Sequence, residues 1–386
     1  MENKKKMKKM LFITPRNPFS GRFSGDVIRA RKFIGYLKYK YSVTLLSTDR
    51  IKSKKSVSKL KSVIYKDESI FFKLLHILKN VLNLKPMQLG YFYSKKVENY
   101  IKNNHSKFDI IFCQSVRVAQ YVNNFSFTKN ILDMGDLYSS NYLQTFKSKS
   151  FLNPLKYIYF IESFLIKKYE FECLEHFDKI FLFSKKEIKI LKKYKKKIDQ
   201  INFGIDSINK IFKFKKKNNK IIFIGNIHYL PNRDACKYFA KNILPIILKI
   251  DPSITFHIIG DISKIDKFLL EKNKSITVHG KVKKLDNIIS NSICGLANLK
   301  VSSGIQTKIL TYMSYGLPCI SSKNVIENFD SIPRGFIPFY KNDKELIELI
   351  FKLKNDRTYS EKISKNSFRL IVKFKWSNVL KKLKLN

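Results

Sequence analysis

The chain lacks any hydrophobic run long enough to cross a membrane, because no stretch approaches about 20 uninterrupted apolar residues. The apolar run near its start, Met10 to Ile13, is followed by Thr14 and Pro15 and is too short for the h-region of a signal peptide. We therefore expect an intracellular protein without a transmembrane helix.

The chain also lacks the residue spacings of metal and redox sites. Its six histidines form no HxxxH or HExxH pair, and its five cysteines form no CxxC pair. The cysteines lie far apart, at Cys113, Cys173, Cys236, Cys294 and Cys319. We expect reduced thiols in a cytosolic compartment, no bound metal and no cofactor.

Acidic residues are scarce: 30 Asp and Glu stand against 76 Lys and Arg, which gives a formal net charge of +46. Such a charge attracts polyanions, either nucleic acid or an anionic membrane surface. Lysine is spread along the whole chain, and the abundance of Lys, Asn, Ile and Phe is what an AT-rich genome produces, so part of the excess reflects composition. No RNP string, zinc spacing or basic-region heptad supports nucleic-acid binding.

The order of apolar runs indicates two α/β domains. A strand at Met10 to Thr14 leads through a glycine-containing loop to a helix near Asp26, with Asp26 as its expected N-cap, and then to the strand YSVTLLST. The alternation restarts with the strand KIIFIGN at Lys220 to Asn226. A length of 386 residues suits two domains of roughly 150–200 residues. We place domains at 1–205 and 206–360, followed by a basic helix at 361–386.

Between Ile221 and Ser322 the strings IIFIGNIHYLPNRDACKYFAKNILPII, FHIIGD, HGKVKKLDNIISNS and VSSGIQTKILTYMSYGLPCISS follow one another. In this order and spacing they resemble the donor-binding domain of family 4 glycosyltransferases of the GT-B fold. FITPRNPFSGRFSGDVIRA, INFGID and FKWSNVLKKL are similar, more weakly, to the first loop, the hinge and the C-terminal helix of that family. The resemblance implies an α/β protein with two Rossmann-like doubly wound domains facing a cleft, in which the last helix returns to the N-terminal domain.

The resemblance also implies the activity. The family is retaining and metal-independent, and it moves a sugar from a nucleoside diphosphate sugar to a hydroxyl group. The expected acceptor is a bacterial cell-surface glycan precursor, such as lipopolysaccharide or capsule, that is oligosaccharide or lipid-linked at the cytoplasmic leaflet. Two other functions remain possible for this fold: a nucleotide-sugar epimerase, and a catalytically weakened partner subunit of another enzyme.

The predicted diphosphate site lies where VSSGIQTK opens a helix. A helix start offers free N–H groups and a positive dipole end, and small residues at Ser303 and Gly304, followed by Ile305, let phosphates approach the backbone. Lys308 is predicted to stabilise the leaving group. The family commonly has two glutamates at the positions held here by Ser303 and Thr311, so Thr311 is expected to contact the ribose through a hydroxyl in place of a carboxylate.

Four further donor-site residues follow from position in the resemblance. Gly25 lies in the first loop, where the family places a pair of glycines near the donor. Arg233 follows Pro-Asn at a helix start and is a candidate phosphate ligand, with a solvated surface arginine as the alternative. His279 and Lys281 flank the end of a strand beside the expected base pocket.

In LDMGDLYSSNY, Asp136 follows a strand, and clefts of open α/β sheets lie at such strand ends. Asp136 is the candidate that orients or deprotonates the acceptor hydroxyl, with a turn or helix cap as the alternative. Asp133, further inside the strand, is expected to be structural.

Two predicted helices, SIFFKLLHILKNVLNL and NPLKYIYFIESFLIKKYEF, are apolar and aromatic with basic edges. Either could pack in a core. Together with the charge of +46 they predict a peripheral position at the inner face of the cell membrane, on an anionic lipid surface.

Overall fold

The computed structural model describes residues 7–20, 24–49, 60, 62–65, 68–122, 128–302, 305–327, 329, 332–333 and 335–385, with residues 62–65 described by their backbone. The chain divides into two compact units. The first consists of Met1–Ile201 with Leu380–Asn386, and the second of Asn202–Val379. Residues 361–379, which we assigned to a returning helix, therefore belong to the second unit.

The first unit contains a seven-stranded sheet in the order β3-β2-β1-β4-β5-β6-β7, in which every strand pair is parallel. Its strands are β1 (Lys9–Thr14), β2 (Ser42–Ser47), β3 (Ser62–Tyr65), β4 (Ile110–Gln114), β5 (Lys129–Gly135), β6 (Lys179–Leu182) and β7 (Ile198–Gln200). Its helices are α1 (Gly25–Leu37), α2 (Ile70–Leu82), α3 (Met87–Tyr91), α4 (Lys95–Asn104), α5 (Val116–Ala119), α6 (Tyr138–Ser148), α7 (Leu155–His176) and α8 (Lys185–Ile190), with 3-10 turns at His105–Lys107 and Lys192–Lys197.

The second unit contains a six-stranded parallel sheet in the order β10-β9-β8-β11-β12-β13. Its strands are β8 (Lys220–Ile224), β9 (Thr255–Ile259), β10 (Ile276–Gly280), β11 (Ser292–Ala297), β12 (Cys319–Ser322) and β13 (Phe339–Tyr340). Its helices are α9 (Leu230–Tyr238), α10 (Leu244–Ile250), α11 (Lys264–Glu271), α12 (Asp286–Ile289), α13 (Thr307–Ser314), α14 (Lys323–Ile326), α15 (Asp343–Asn355) and α16 (Arg357–Ile371), with a π-helical turn at Phe239–Ile243 and a 3-10 turn at Val372–Phe374. A last helix, α17 (Trp376–Lys381), spans the boundary between the units.

Both sheets share the strand order 3-2-1-4-5-6 of doubly wound folds. The predicted α/β class with two Rossmann-like doubly wound sheets is confirmed. The central strands are buried on both faces: in β1, for example, the four residues from Met10 to Ile13 have no exposed surface. This burial explains why they read as continuous apolar runs in the sequence.

The strand order places a switch point in each sheet. In the first it lies between β1 and β4, and in the second between β8 and β11, because consecutive strands are added to opposite sides from there. Ligands of open α/β sheets bind at such points, beyond the carboxyl ends of the strands. The two carboxyl edges are therefore where functional side chains are expected.

The N-cap of helix α1, which follows β1, lies two residues earlier than predicted. Ser24 occupies the N-cap position, and Asp26 lies in the first turn. The carboxylate of Asp26 accepts a hydrogen bond from Arg16 at 2.9 Å. The expectation that Asp26 caps the helix is therefore wrong, although an acidic residue in a first turn is favoured by the helix dipole.

Within the described residues, no helix combines the length and the apolar character needed to cross a membrane.

Candidate functional site

Two glycines bring the ends of β8 and β9 together at the carboxyl edge of the second sheet. Gly260 has a φ of +141°, and a Cβ at that position would lie 1.8 Å from the carbonyl oxygen of Gly225. Only glycine fits such an approach. Gly225 follows β8, so this contact lies beside the switch point of the sheet.

Lys308, at the start of α13, is directed into the interior of the second unit. Its Nζ donates a hydrogen bond to Asn232 Oδ1 at 2.7 Å and lies 3.9 Å from the centre of the Phe223 ring. Lys308 is 5% exposed, and burial lowers its pKa to about 7. The charge therefore lies beneath the helix start and not at the surface, where direct contact with a bound phosphate would place it.

Asn232, which we did not single out from the sequence, connects Lys308 to the loop after β8. Its Nδ2 donates to the carbonyl oxygen of Asn226 at 2.8 Å while its Oδ1 accepts from Lys308. Asn232 is 7% exposed, so both bonds are shielded from water. The available signal was the Pro-Asn pair at the start of α9, which we used only to place the helix and Arg233.

Tyr312 holds α13 against the switch point. Its hydroxyl accepts a hydrogen bond from the N–H of Ile224 at 2.8 Å and lies 3.1 Å from the carbonyl oxygen of Leu296. Its ring packs on Gly295, where a Cβ would lie 2.5 Å from the ring. Tyr312 thus ties the ends of β8 and β11 to one helix, a role that the sequence pattern of an amphipathic helix did not reveal.

The predicted contacts at the start of α13 are partly described. Ser303 and Gly304 lie outside the described residues. Ile305 is 9% exposed, and the Oγ1 of Thr311 donates to the carbonyl oxygen of Thr307 at 3.1 Å, so this hydroxyl keeps only its acceptor lone pairs. Thr311 is half-buried.

The helix α13 ends in a hydrogen-bonded turn at Gly316. The N–H of Gly316 bonds the carbonyl oxygen of Met313 at 3.0 Å, and the N–H of Leu317 bonds that of Tyr312 at 3.0 Å. Gly316 has a φ of +68°. This is a Schellman motif, which needs a left-handed residue and explains the abrupt Gly-Leu-Pro break.

His279 is engaged by a second histidine. Nε2 of His279 and Nδ1 of His257 are 2.8 Å apart, and the two rings are stacked with centroids 5.1 Å apart. Burial lowers the pKa of both, that of His257 to about 4. A neutral imidazole at His279 can offer hydrogen bonds to a base but not a charge to a phosphate.

Lys281 and Arg233 lie at the same edge. The Nζ of Lys281 pairs with Asp261 at 2.7 Å. Arg233 is half-buried in the first turn of α9, and its charge contributes, after the hydrogen bond from Lys237, to a lowered pKa of Asp266. Both cations thus have an acidic neighbour in the same unit.

In the first unit, Arg29 and Asp133 form a buried ion pair at the carboxyl end of β5. The Arg29 Nε and one terminal nitrogen each donate to an Asp133 oxygen at 2.7 Å, and each residue is 2% exposed. The guanidinium lies 4.3 Å from the ring centre of Phe33 and 4.5 Å from that of Phe183. The expectation that Asp133 is structural fits this geometry.

Asp136 lies three residues beyond this ion pair. Its Oδ1 is buried and has no hydrogen-bond partner among the described residues. Burial raises its pKa to about 7, against the attraction of Arg29 and with the repulsion of Asp133. A carboxyl group with such a pKa can accept or donate a proton near neutral pH.

Side chains bridge β1 and β4 across the switch point of the first sheet. The hydroxyl of Thr14 lies 2.8 Å from Gln114 Oε1, and Gln114 Nε2 donates to the carbonyl oxygen of Asp26 at 3.0 Å. Gly25 is the first residue of α1, directly beside this network. Neither Thr14 nor Gln114 was singled out from the sequence, because their partners lie about a hundred residues away.

A polar pocket of about 350 Å³ opens beside this network, beyond the ends of β1 and β2. It combines two carboxylates, two cations and aromatic rings, a composition that suits a hydroxylated ring. Its lining includes Arg16, Asp49, Glu68, Lys73, Tyr91 and Tyr93.

In the described part of the chain, no three side chains of His, Cys, Asp or Glu are grouped as metal ligands.

A family model matches part of the second unit. Residues 218–356 match the family model of group 1 glycosyl transferases. No curated protein sequence matches the chain.

Solved structures match nearly the whole chain. The structure of HepE from Anabaena with UDP and glucose is 12% identical and has a TM-score of 0.66, with 97% of this chain and 98% of HepE covered. Sucrose-phosphate synthase from Thermosynechococcus elongatus is 12% identical with a TM-score of 0.68, covering 97% of each chain. WaaG, a glycosyltransferase involved in lipopolysaccharide biosynthesis, is 12% identical with a TM-score of 0.63, covering 96% of this chain and 98% of WaaG. At these identities the likeness establishes the GT-B fold.

Proposed function

We propose that the chain moves a sugar, with retention of configuration, from a nucleoside diphosphate sugar to a hydroxyl group of a cell-surface glycan precursor. The match of residues 218–356 to the group 1 glycosyl transferase model and the GT-B fold support this proposal. The HepE structures contain UDP, and WaaB and WaaG are lipopolysaccharide glycosyltransferases by their descriptions. We therefore propose that this chain uses the same kinds of substrate, a nucleotide sugar as donor and a cell-surface glycan as acceptor.

The observation that carries the proposal is the convergence of the α13 start and the Asn232–Lys308 pair on the switch point of the second sheet. In this proposal the start of α13 receives the diphosphate, whose charge the helix dipole favours. Lys308 adds positive charge from below the helix. Because its pKa is about 7, an arriving diphosphate would favour its protonated form.

In the proposed reaction, the bond between the anomeric carbon and the diphosphate oxygen breaks, and the acceptor oxygen forms its bond on the same face. The negative charge that develops on the diphosphate is stabilised by N–H groups and Lys308. Asp136, whose raised pKa suits proton transfer at neutral pH, accepts the proton of the acceptor hydroxyl. No cofactor takes part in this scheme.

We place this activity at the inner face of the cell membrane, with the protein bound peripherally. The net charge of +46 and the exposed apolar side chains of α2 and α7 support this position. A lipid-linked acceptor would be presented on the same surface.

The first test is a thermal-shift screen of the intact chain with UDP, GDP and ADP. A ligand that binds the native state at 100 times its Kd adds about 2.7 kcal/mol to stability, so one of the three is expected to raise the melting temperature. A panel of the corresponding sugar nucleotides with a glycan acceptor then gives the product, whose anomeric configuration is read by NMR. No shift with any nucleotide would contradict the proposed function, and a changed sugar nucleotide without acceptor would identify an epimerase.

A further inference from the structure

Helix α2 lies on the surface of the first unit with none of its residues buried. Large apolar side chains cover it, and each is at least 44% exposed: Ile70, Phe71, Phe72, Leu74, Leu75, Leu78, Val81 and Leu82. Contiguous apolar surface of this kind marks a binding surface in soluble proteins. The amphipathic pattern of the sequence predicted a helix here, but the extent of the exposure is a finding of the tertiary structure.

A second exposed apolar group covers the end of α6 and the first half of α7. Its members are Leu143, Phe151, Leu152, Leu155, Tyr157, Ile158, Phe160, Ile161 and Phe164, which are 36% to 77% exposed. The first turns of α7 therefore present apolar side chains to solvent, although the same helix packs into the core of the first unit further along, at Ile166 and Leu174.

One buried carboxylate holds the two groups in a fixed relation. Glu162 of α7 is 3% exposed and accepts hydrogen bonds from the N–H groups of Met87 at 2.9 Å and Gln88 at 3.1 Å. These N–H groups open α3, which follows α2 in the chain. We call the exposed parts of α2 and α6–α7 together the α2–α7 face.

A chamber of about 860 Å³ lies between α2 and α7 and is part of this face. Phe72, Leu84 and Leu165 contribute apolar walls, while Lys79 and Lys168 contribute cations from the two helices. The chamber therefore combines the two chemistries of a phospholipid head region, an anion and the first part of a hydrocarbon chain.

The charge of the α2–α7 face is predominantly positive, although Glu98 and Glu172 also line the chamber. Residues 69–97 contain no Asp or Glu, and between 137 and 169 the only acidic residue is Glu162, which is buried. The lysines of these two segments are Lys73, Lys79, Lys85, Lys95, Lys96, Lys147, Lys149, Lys156, Lys167 and Lys168. A second copy of the same face would bring like charges together, so self-association does not explain the apolar surface.

We propose that the α2–α7 face is a binding site for anionic phospholipid, in which the exposed apolar side chains enter the bilayer interface and the chamber receives a lipid phosphate between Lys79 and Lys168. The apolar side chains provide burial, and the lysines provide attraction to the anionic leaflet. The site lies outside the residues proposed for sugar transfer, so it adds a lipid specificity to the proposed function and is testable without any nucleotide sugar.

The apolar contribution is tested by vesicle co-sedimentation of the full chain. Phe71→Ser with Leu78→Ser on α2 is compared with Ile265→Ser with Phe268→Ser on α11, where the exposed fractions are similar: 63% and 56% against 73% and 66%. The α2 pair is expected to weaken binding to phosphatidylglycerol vesicles by roughly tenfold or more, and the α11 pair to leave it unchanged. Equal effects of both pairs would overturn the placement of the site.

The charge contribution is tested by lipid composition and salt. Binding is expected on vesicles with phosphatidylglycerol, not on pure phosphatidylcholine, and is expected to weaken as salt rises. Equal binding to both vesicle types, or binding to neither, would overturn the proposal. Asp136→Asn is expected to bind vesicles like the original chain, so loss of transferase activity is distinguished from loss of lipid binding.

The chamber itself is tested by two pairs of lysines on the same face. Lys79→Ser with Lys168→Ser removes two of the four lysines that line the chamber, and Lys147→Ser with Lys156→Ser removes two cations that do not line it. The chamber pair is expected to reduce the preference for phosphatidylglycerol at least several-fold more than the outer pair, since both remove the same net charge. Equal losses would overturn the role of the chamber. Stabilisation by free glycerol phosphate or inorganic phosphate, without vesicles, would instead identify a soluble phosphate as the ligand and contradict the lipid assignment.

Discussion

The side chains of Arg29 and Asp133 form a bidentate ion pair in the core of the first unit, although they lie 104 residues apart in the chain. The pair joins α1, which follows the first strand, to the carboxyl end of β5. Because Asp136 lies directly beyond it, the pair contributes opposing electrostatic effects to the proton affinity of the proposed base.

The contributions of Arg29 and Asp133 to the free energy of unfolding are expected to depend strongly on each other. Asp133→Asn removes the charged partner that accepts two hydrogen bonds from the buried guanidinium of Arg29, so we expect a loss of about 3–5 kcal/mol in the free energy of unfolding. Replacing both residues, with Arg29→Met and Asp133→Leu, is expected to cost less than the sum of the two single changes. Urea unfolding of the original chain, the two single variants and the double variant measures the coupling. If the losses of the two single variants add up to that of the double variant, the coupling is contradicted.

The activity is expected to rise with pH through the titration of Asp136. Only the ionised carboxylate can accept a proton, and burial raises the pKa of Asp136 to about 7. In the donor complex, where the diphosphate keeps Lys308 protonated, kcat therefore rises as pH increases through about 7. Asp136→Asn is expected to lower turnover by about 100-fold or more and to remove this rise. Glu348→Gln, on an exposed part of α15, serves as the control and is expected to keep the profile.

The titration of Asp136 is expected to affect stability in the opposite direction, so that stability falls as pH rises. Since the folded pKa is raised from 3.8, the folded chain keeps a proton that the unfolded chain loses. The stabilisation is therefore complete below pH 3.8 and is lost as pH rises through about 7. Asp136→Asn is expected to flatten this dependence in urea unfolding between pH 4 and pH 8, and an unchanged slope would contradict the shifted pKa.

Lys308 is expected to act through the network with Asn232. Lys308→Ala should lower turnover by about 10–1000-fold, the range for losing one group that stabilises charge in the transition state. Asn232→Ala removes the acceptor that orients the ammonium and is expected to reduce kcat more than it raises KM for the donor. Lys344→Ala, outside the buried network, is the matched control. Unchanged turnover in a folded Lys308→Ala protein would remove this residue from the site.

Thr311→Glu is expected to tighten nucleoside diphosphate binding if Thr311 occupies the ribose position. A hydrogen bond to a charged acceptor is worth about 1.5–3 kcal/mol against roughly 0.5–1.5 for a neutral one, which allows up to about a tenfold gain. Thr311 is half-buried and bonds only its own helix, so a longer side chain has room to reach outwards. Calorimetric titration with UDP, GDP and ADP measures the gain, and loss of all binding would show that the donor site lies elsewhere.

The order of strands and helices could be predicted from the sequence because central strands of parallel sheets are buried on both faces and read as apolar runs. The strands β3, β7 and β13 are edge strands of only two to four residues, too short to stand out as apolar runs in the sequence. An edge strand pairs on one side only, so its sequence carries a weaker apolar signal. The Gly-Leu-Pro end of α13 was predictable because it depends on local backbone conformation alone.

The positions of the candidate site residues at the carboxyl edges of the sheets were predictable from the sequence, but the contacts of their side chains were not. Local pattern located Asp136 after a strand and Lys308 at a helix start, yet the direction of each side chain depends on how its element is rotated against the sheet. The burial of Lys308 against Phe223, and its bond to Asn232 at 2.7 Å, were decided by that packing. By itself the sequence determined the two βα series, the large excess of positive charge and the apolar character of α2. The tertiary structure decided the partners of the buried charges and which apolar residues stay exposed, because both depend on groups that are distant in the chain and meet only when it folds.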